Sequence, residues 1–243
     1  MQFLGIRVDE VSKEQALQKA VEFLNSSGQY KIFTPNPEII VKAQNDEYFK
    51  KVLNSGDLNL CDGVGLQIFA KIKRRVPGID FMLDVCKLAA EQGRGVYLLG
   101  SGSDEVVGGA FEELEKKFPN LKISGYNKGP EINENPACKF DGPIFEQIKQ
   151  SGAQILFVAF GMGKQEKWIY ENLAKMPGVK IAMGVGGSFD FISGHIKRAP
   201  LFLRKLGLEW MYRLIQQPSR IGRIFNATAK FSYLVLKSKF QNG

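Results

Sequence analysis

The sequence predicts an α/β protein: a Rossmann-like, mostly parallel sheet with helices on both faces, followed by a C-terminal helical appendage. Three observations predict it. Short apolar runs alternate with helical stretches as far as residue 185, the pattern of a parallel sheet covered on both sides. The 243 residues are enough for one large α/β domain with an appendage. After Ala199–Pro200 the alternation stops and a basic, amphipathic segment begins. The expected division is an α/β domain over 1–200 and a helical appendage over 201–243.

The elements follow in order. "FLGIRV" (3–8) reads as a strand, and a helix is expected over 12–26, opened by Ser12 with Gln15 three residues on, a capping box. "KIFTP" (31–35) is a strand, 37–54 a helix, "LNLC" (58–61) a strand and 79–92 a helix. "GVYLLG" (95–100) precedes a helix over 104–118 that starts at Ser103–Asp104 and carries Phe111, Leu114 and Phe118. "LKISGY" (121–126) is a strand. The Pro- and Gly-containing stretch 126–143 reads as a surface loop. A helix over 141–151, the strand "QILFVAF" (154–160), a helix over 164–176 and the strand "VKIAMGV" (179–185) complete the alternation. In the tail, Leu203, Leu206, Trp210 and Leu214 recur at helical spacing, and Pro218 is expected to break the segment into two helices.

Composition is that of a globular protein, 44% hydrophobic and 24% charged. The opening "MQFLGIRVDEVSKEQ" turns polar within ten positions, unlike a secretory signal, and no window has the roughly 18 uncharged apolar residues of a spanning helix. Cys61, Cys86 and Cys138 are far apart and odd in number, which suits a reducing cytoplasm and buried thiols, not a zinc site. The net charge of +8 is unevenly placed. From Lys197 onward ten Lys and Arg face one acid, Glu209, a net of +9, and the first 196 residues carry −1. Such a tail seeks phosphates, nucleic acid or anionic lipid.

Ligands of open α/β sheets bind beyond the carboxyl ends of the strands, so the loops there hold the candidate site residues. Thr34 and Asn36 stand in a turn between two prolines, where capping the next helix is their first role. Asp62 follows a strand beside Gly63 and Gly65: a turn residue, or a general base at the open edge of the sheet. "LLGSGSDEVVGG" falls short of a dinucleotide fingerprint, with Glu105 in place of its third glycine and no acid after the next strand. No Walker motif and no D-x-D occur. "VAFGMGKQEKW" and "GVGGSFD" are successive strand–glycine–helix turns; they bring Gly161, Gly163, Gly184, Gly186 and Gly187 to the same edge and point to a nucleotide or sugar nucleotide. Ser188 reads as a cap, Asp190 as a favourable acid at a helix start, and the lone His195 as a solvated side chain.

"TPNPE" (34–38), "CDGVG" (61–65), "RVPGID" (75–80), "GKQEKW" (163–168), "GVGGSFDFISGHIKRAP" (184–200) and "GLEWMYRLIQQPSRIGR" (207–223) stand in the order and spacing of the WecG/TagA/CpsF glycosyltransferases, over nearly the whole chain. The sequence resembles the teichoic-acid branch most. The resemblance implies a metal-independent, inverting enzyme that moves N-acetylmannosamine, or a related N-acetylhexosamine, from UDP to undecaprenyl-diphosphate-linked GlcNAc. It makes Asp62 the catalytic base. Thr34, Asn36, Arg75, Gln165, Gly186 and Gly187 become substrate-pocket residues, and Arg213, Arg220 and Arg223 cations that reach over the site from the tail. It implies no cofactor and no bound metal. The implied partners are the UDP-sugar, the lipid-linked acceptor and the inner face of the cytoplasmic membrane, where the protein would sit peripherally. Homo-oligomerisation is left open, and nucleic acid is not expected. Departures exist: Cys61 stands where relatives commonly have Pro, and "GMGKQE" replaces a proline-containing loop. The rival readings are a nucleic-acid-binding module using the basic tail and a nicotinamide oxidoreductase.

Overall fold

The computed structural model describes residues 1–130 and 142–241. It opens with a hairpin, β1 (Gln2–Phe3) antiparallel to β2 (Ile6–Arg7). One strand was expected over 3–8. The chain reverses instead because Leu4 and Gly5 both take positive φ, 49° and 76°, as a two-residue hairpin turn requires. In α1 (Lys13–Asn25) the capping box forms: the Ser12 hydroxyl accepts from the Gln15 N–H at 3.2 Å, and Gln15 Oε1 accepts from the Ser12 N–H at 2.8 Å. After β3 (Tyr30–Phe33) the helix expected over 37–54 is two, α2 (Pro37–Ala43) and α3 (Glu47–Asn54). Asp46 divides them, its carboxylate accepting from the Phe49 N–H at 2.8 Å; a short acid competes well for such a cap and poorly for a helix interior.

β4 (Leu58–Asn59) is followed by α4 (Val64–Phe69), a helix too short to show a period in sequence. Then come α5 (Gly78–Gln92), β5 (Val96–Gly100), α6 (Asp104–Lys117) and β6 (Ile123–Asn127). Positions 131–141 of the expected loop, Cys138 among them, lie outside the described residues. α7 (Pro143–Ser151), β7 (Ile155–Ala159), α8 (Lys164–Asn172), a 3-10 turn (Leu173–Lys175), β8 (Ile181–Gly184) and α9 (Ser188–Ile192) follow. The tail is helical throughout: α10 (Leu201–Lys205), α11 (Glu209–Gln216), a 3-10 turn (Pro218–Arg220) and α12 (Ile221–Gln241).

Six strands make one parallel sheet in the order β4-β3-β8-β7-β5-β6. All ten residues of β5 and β7 are buried, because helices cover both faces. Side-chain alternation sorts the core into two layers. Phe33, Leu99, Leu156 and Val158 face α2, α3, α7 and α8. Ile32, Leu98, Ile155, Phe157 and Met183 face α1, α5, α6 and α9. Adjacent strands β3 and β8 therefore send their following helices, α2 and α9, to opposite faces. That divergence is a topological switch point, where such sheets leave a crevice.

The tail joins the first layer through α12. Phe231 and Val235 are buried in it, and the Phe231 ring meets Phe3 and Phe69 at centroid distances of 5.8 and 5.6 Å. The apolar stripe expected from Leu203 to Leu214 is not continuous. Gly207 breaks it with φ +74, and a Cβ there would run into Val64 of α4. Pro218 sits at the second break, as expected. Neither α10 nor α11 has a fully buried residue.

Candidate active site

The crevice beyond β3 and β8 opens into a cavity of about 520 Å³, within the range of small-molecule sites. Thr34, Asn36, Asp62, Arg75, Gln165, Gly186, Gly187 and Arg213 all line it. They come from four strand ends and from α11, so the fold collects residues up to 179 positions apart. Arg220 closes the 3-10 turn before α12 and Arg223 lies in the first turn of that helix. Their side chains lie outside the described residues.

Asp62 leaves β4 with its N–H donating to the Pro35 carbonyl at 3.0 Å. Its carboxyl accepts from the Gly78 N–H at the start of α5 and faces Arg75. That approach needs Gly78 bare: a Cβ there would stand 3.1 Å from the Thr34 methyl. Thr34 thus packs against the amide that holds Asp62. Burial is the main influence on Asp62 and pushes its pKa up to about 6. The carboxylates of Glu209 and Asp80 add to the rise, and the Gly78 N–H and Arg75 oppose it. A carboxyl so poised is ionised near neutrality yet a stronger proton acceptor than one in water, which suits a general base. Asn36 keeps its capping role, accepting from the Ile39 N–H at 3.0 Å, and still lines the cavity.

The two glycine turns differ from each other. At the start of α8 the Gly163 N–H donates to Glu166 Oε2 at 2.7 Å, so part of the helix terminus expected to favour an external anion is taken by the chain's own carboxylate. Glu166 is fully buried, and burial holds its pKa above the ordinary range. It also accepts from Gln165 Nε2 at 2.9 Å, while Gln165 Oε1 accepts from the Gly186 N–H at 2.9 Å. Glu166, Gln165 and Gly186 thus form a relay from one turn to the next. The second turn also has its Gly186 N–H taken, by Gln165, but it meets a cation. Gly186 has φ +55, and a Cβ on Gly187 would stand 2.6 Å from Arg213 Nη2 and 3.2 Å from Asp190 Oδ2. Arg213 also lies over the Phe191 ring, 4.9 Å from its centroid. Ser188 is not the cap; Gly187 holds that position, and the Ser188 hydroxyl donates to the Val185 carbonyl at 2.6 Å. His195 is exposed on a loop.

Sequence reasoning missed Arg198, Asp80 and Glu209. Arg198 was read only as the start of the basic tail. Its Nη1 and Nη2 donate to Asp80 at 2.6 and 2.9 Å, and its Nε donates to Glu209 at 3.0 Å. Arg75 Nη2 donates to the Arg204 carbonyl at 3.1 Å, a second tie between the cavity and the tail. The available signal was the isolation of Glu209, the only acid among the last 47 residues.

The model of the glycosyl transferase WecG/TagA/CpsF family matches residues 1–243, the whole chain. The chain belongs to the WecG/TagA/CpsF family of glycosyltransferases. Among curated relatives, the N-acetylglucosaminyldiphosphoundecaprenol N-acetyl-beta-D-mannosaminyltransferase of Bacillus subtilis (strain 168) is 33% identical over 213 residues, covering 86% of this chain and 79% of the relative. The protein of the same name from Staphylococcus aureus (strain MW2) is 29% identical over 243 residues, 97% of this chain and 92% of the relative. The Bacillus spizizenii (strain W23) protein, again of that name, is 33% identical over 211 residues.

As a member of the WecG/TagA/CpsF family the chain is a glycosyltransferase, and neither rival reading finds support. Among the described residues, no three His, Cys, Asp or Glu side chains gather to hold a metal. No described helix is long and apolar enough to cross a membrane.

Proposed function

We propose that this glycosyltransferase transfers N-acetylmannosamine from UDP to the 4-hydroxyl of polyprenyl-diphosphate-linked GlcNAc, with inversion and with Asp62 as base, for a cell-surface polymer such as wall teichoic acid. The relatives' names support the transferred sugar and the acceptor. The observation that carries the mechanism is Asp62, pKa about 6, at the wall of a cavity that also holds Arg75 and Arg213. As the acceptor oxygen bonds to the anomeric carbon, its proton passes to Asp62. The bond from that carbon to the diphosphate breaks, and UDP leaves with the electron pair. Base assistance of this kind is worth typically about 10²–10⁴-fold. The departing charge falls to Arg213 and the Gly187 turn beneath it, with Arg220 and Arg223 as further donors from the tail. Preorganised guanidinium and amide donors suit a diphosphate, and no metal is required of them.

The tail serves the acceptor's location. Leu201, Phe202, Leu206, Trp210, Ile215 and Phe225 are exposed on a segment of net charge +9. An apolar, cationic surface of that kind binds an anionic membrane face reversibly, at about 1 kcal/mol per cation near the surface. The protein would then work on the cytoplasmic face, with the polyprenyl chain left in the bilayer.

The test is a turnover assay with UDP-ManNAc, UDP-GlcNAc and other UDP-sugars against a polyprenyl-diphosphate-GlcNAc analogue, reading UDP release and product mass. UDP-ManNAc should be preferred and one N-acetylhexosamine added. Preference for another donor would change the sugar but not the reaction class.

A further inference from the structure

We propose that Arg198 is a positioning residue that clasps the tail to the catalytic body, holding Glu209 of α11 against Asp80 of α5 so that Arg213 stays seated over the Gly187 turn. The geometry is that of a designed joint. Arg198 is mostly buried, with its side chain 17% exposed, and spends all three guanidinium nitrogens on two carboxylates from different elements. Its ion pair with Asp80 is bidentate, the arrangement that fixes orientation as well as distance. Without a cation between them, Asp80 and Glu209 would repel, and α11 would be pushed from α5.

The clasp matters because α11 is held by polar ties and not by burial: besides Arg198, the Gln216 side chain pairs with the Lys197 backbone, accepting from its N–H at 3.1 Å and donating to its carbonyl at 2.7 Å. No residue of that helix is fully buried, and its apolar residues Trp210, Met211 and Ile215 are exposed. The anchors of the tail in the core, Phe231 and Val235, lie fifteen residues or more beyond α11. Yet α11 carries Arg213, whose guanidinium meets Gly187 and Phe191 across the cavity. Arg198 sits in the segment between α9 and α10, so it ties α11 to the body without itself lining the cavity. The two acids it holds are also the two whose charge raises the proton affinity of Asp62, against the Gly78 N–H and Arg75. One arginine therefore sets both the placement of the leaving-group cation and the surroundings of the base.

This rests on the reading of the cavity as the transfer site, so its test includes a readout that needs no turnover. Hydrogen–deuterium exchange on the full-length protein should show Arg198→Gln losing protection over 209–217, with β5 and β7 unchanged. In the transfer assay kcat should fall by at least about tenfold, since displacing such a group by about 1 Å can cost 10²-fold, with less effect on donor KM. Arg198→Lys, which keeps the charge but not the fork, should recover only part of the loss. The double variant Arg198→Gln, Glu209→Gln should be no worse than Arg198→Gln alone, because both changes open the same joint. Unchanged exchange over 209–217, full recovery by lysine, or additive losses in the double variant would each overturn the clasp. Should β5 and β7 also lose protection in Arg198→Gln, the lysine variant carries the same measurements. If no donor is turned over by wild-type protein, the exchange result still decides the clasp while the proposed function fails.

Discussion

Asp62 illustrates how one residue trades stability for chemistry. Its pKa near 6 exceeds the ordinary aspartate value because burial penalises its charge. The base form exists above that value, so kcat/KM for transfer should rise with pH through about 6 and level off above 7. Neutralising a nearby acid, as in Asp80→Asn, should move that limb to lower pH. The sign for stability is opposite. The folded state binds this proton more tightly than the unfolded state, so the penalty of the charged form develops as pH rises from about 4 to 6. Asp62→Asn should therefore stabilise the fold at pH 7.5, by on the order of 1–3 kcal/mol, and by less near pH 5. Urea unfolding of variant and wild type at the two pH values checks it; an equal difference at both would remove the desolvation argument. Glu166 is the contrasting case. It is buried and fully engaged, so Glu166→Gln places an amide against the Gly163 N–H or the Gln165 amide, and should cost about 1–3 kcal/mol in the same measurement. These carboxylates were unequally legible in the sequence. Asp62 stands out beside glycines at a strand end, whereas Glu166 is not singled out. Nothing local distinguishes a buried acid whose partners come from its own turn.

At the scale of elements, what the sequence revealed was what period and capping reveal. Five of the six helices expected in the body (α1, α5, α6, α7 and α8) and six of the seven strands (β3 to β8) stand where alternation put them, and the Ser12–Gln15 box formed as read. The misreadings are short-range events. Leu4 is an unusual residue for a left-handed turn position, so the hairpin was hidden. Asp46 ended a helix inside a run that kept its apolar spacing. Six residues of α4 are fewer than two turns. Arg198 was missed for a different reason: its partners, Asp80 and Glu209, belong to elements 118 and 11 residues away. We retain the boundary at residue 200 as a proposal. A protein ending at Pro200 keeps both core layers except for Phe231 and Val235. It should fold, with reduced stability, and should uncover Phe3 and the already exposed Phe69 further. Circular dichroism and urea unfolding of that truncation test it, and a failure to fold would place the tail within the domain.

For the whole molecule, a nearly neutral body carries a +9 tail. Flotation with vesicles containing anionic phosphatidylglycerol should show binding that weakens as salt rises, since screening shortens the reach of exposed cations. Binding indifferent to salt would assign the interaction to the apolar residues alone. Because the leaving-group role is placed on arginines and backbone amides, EDTA should leave transfer intact. Loss restored by Mg²⁺ or Mn²⁺ would refute that placement. The most direct test of the assembly is the pair of constants measured for Asp62→Asn with UDP-ManNAc and the lipid-linked acceptor analogue. The substitution should lower kcat by about 10²–10⁴-fold and leave UDP affinity, read by calorimetry, within about twofold of wild type. Transfer at the wild-type rate would contradict Asp62 as the base.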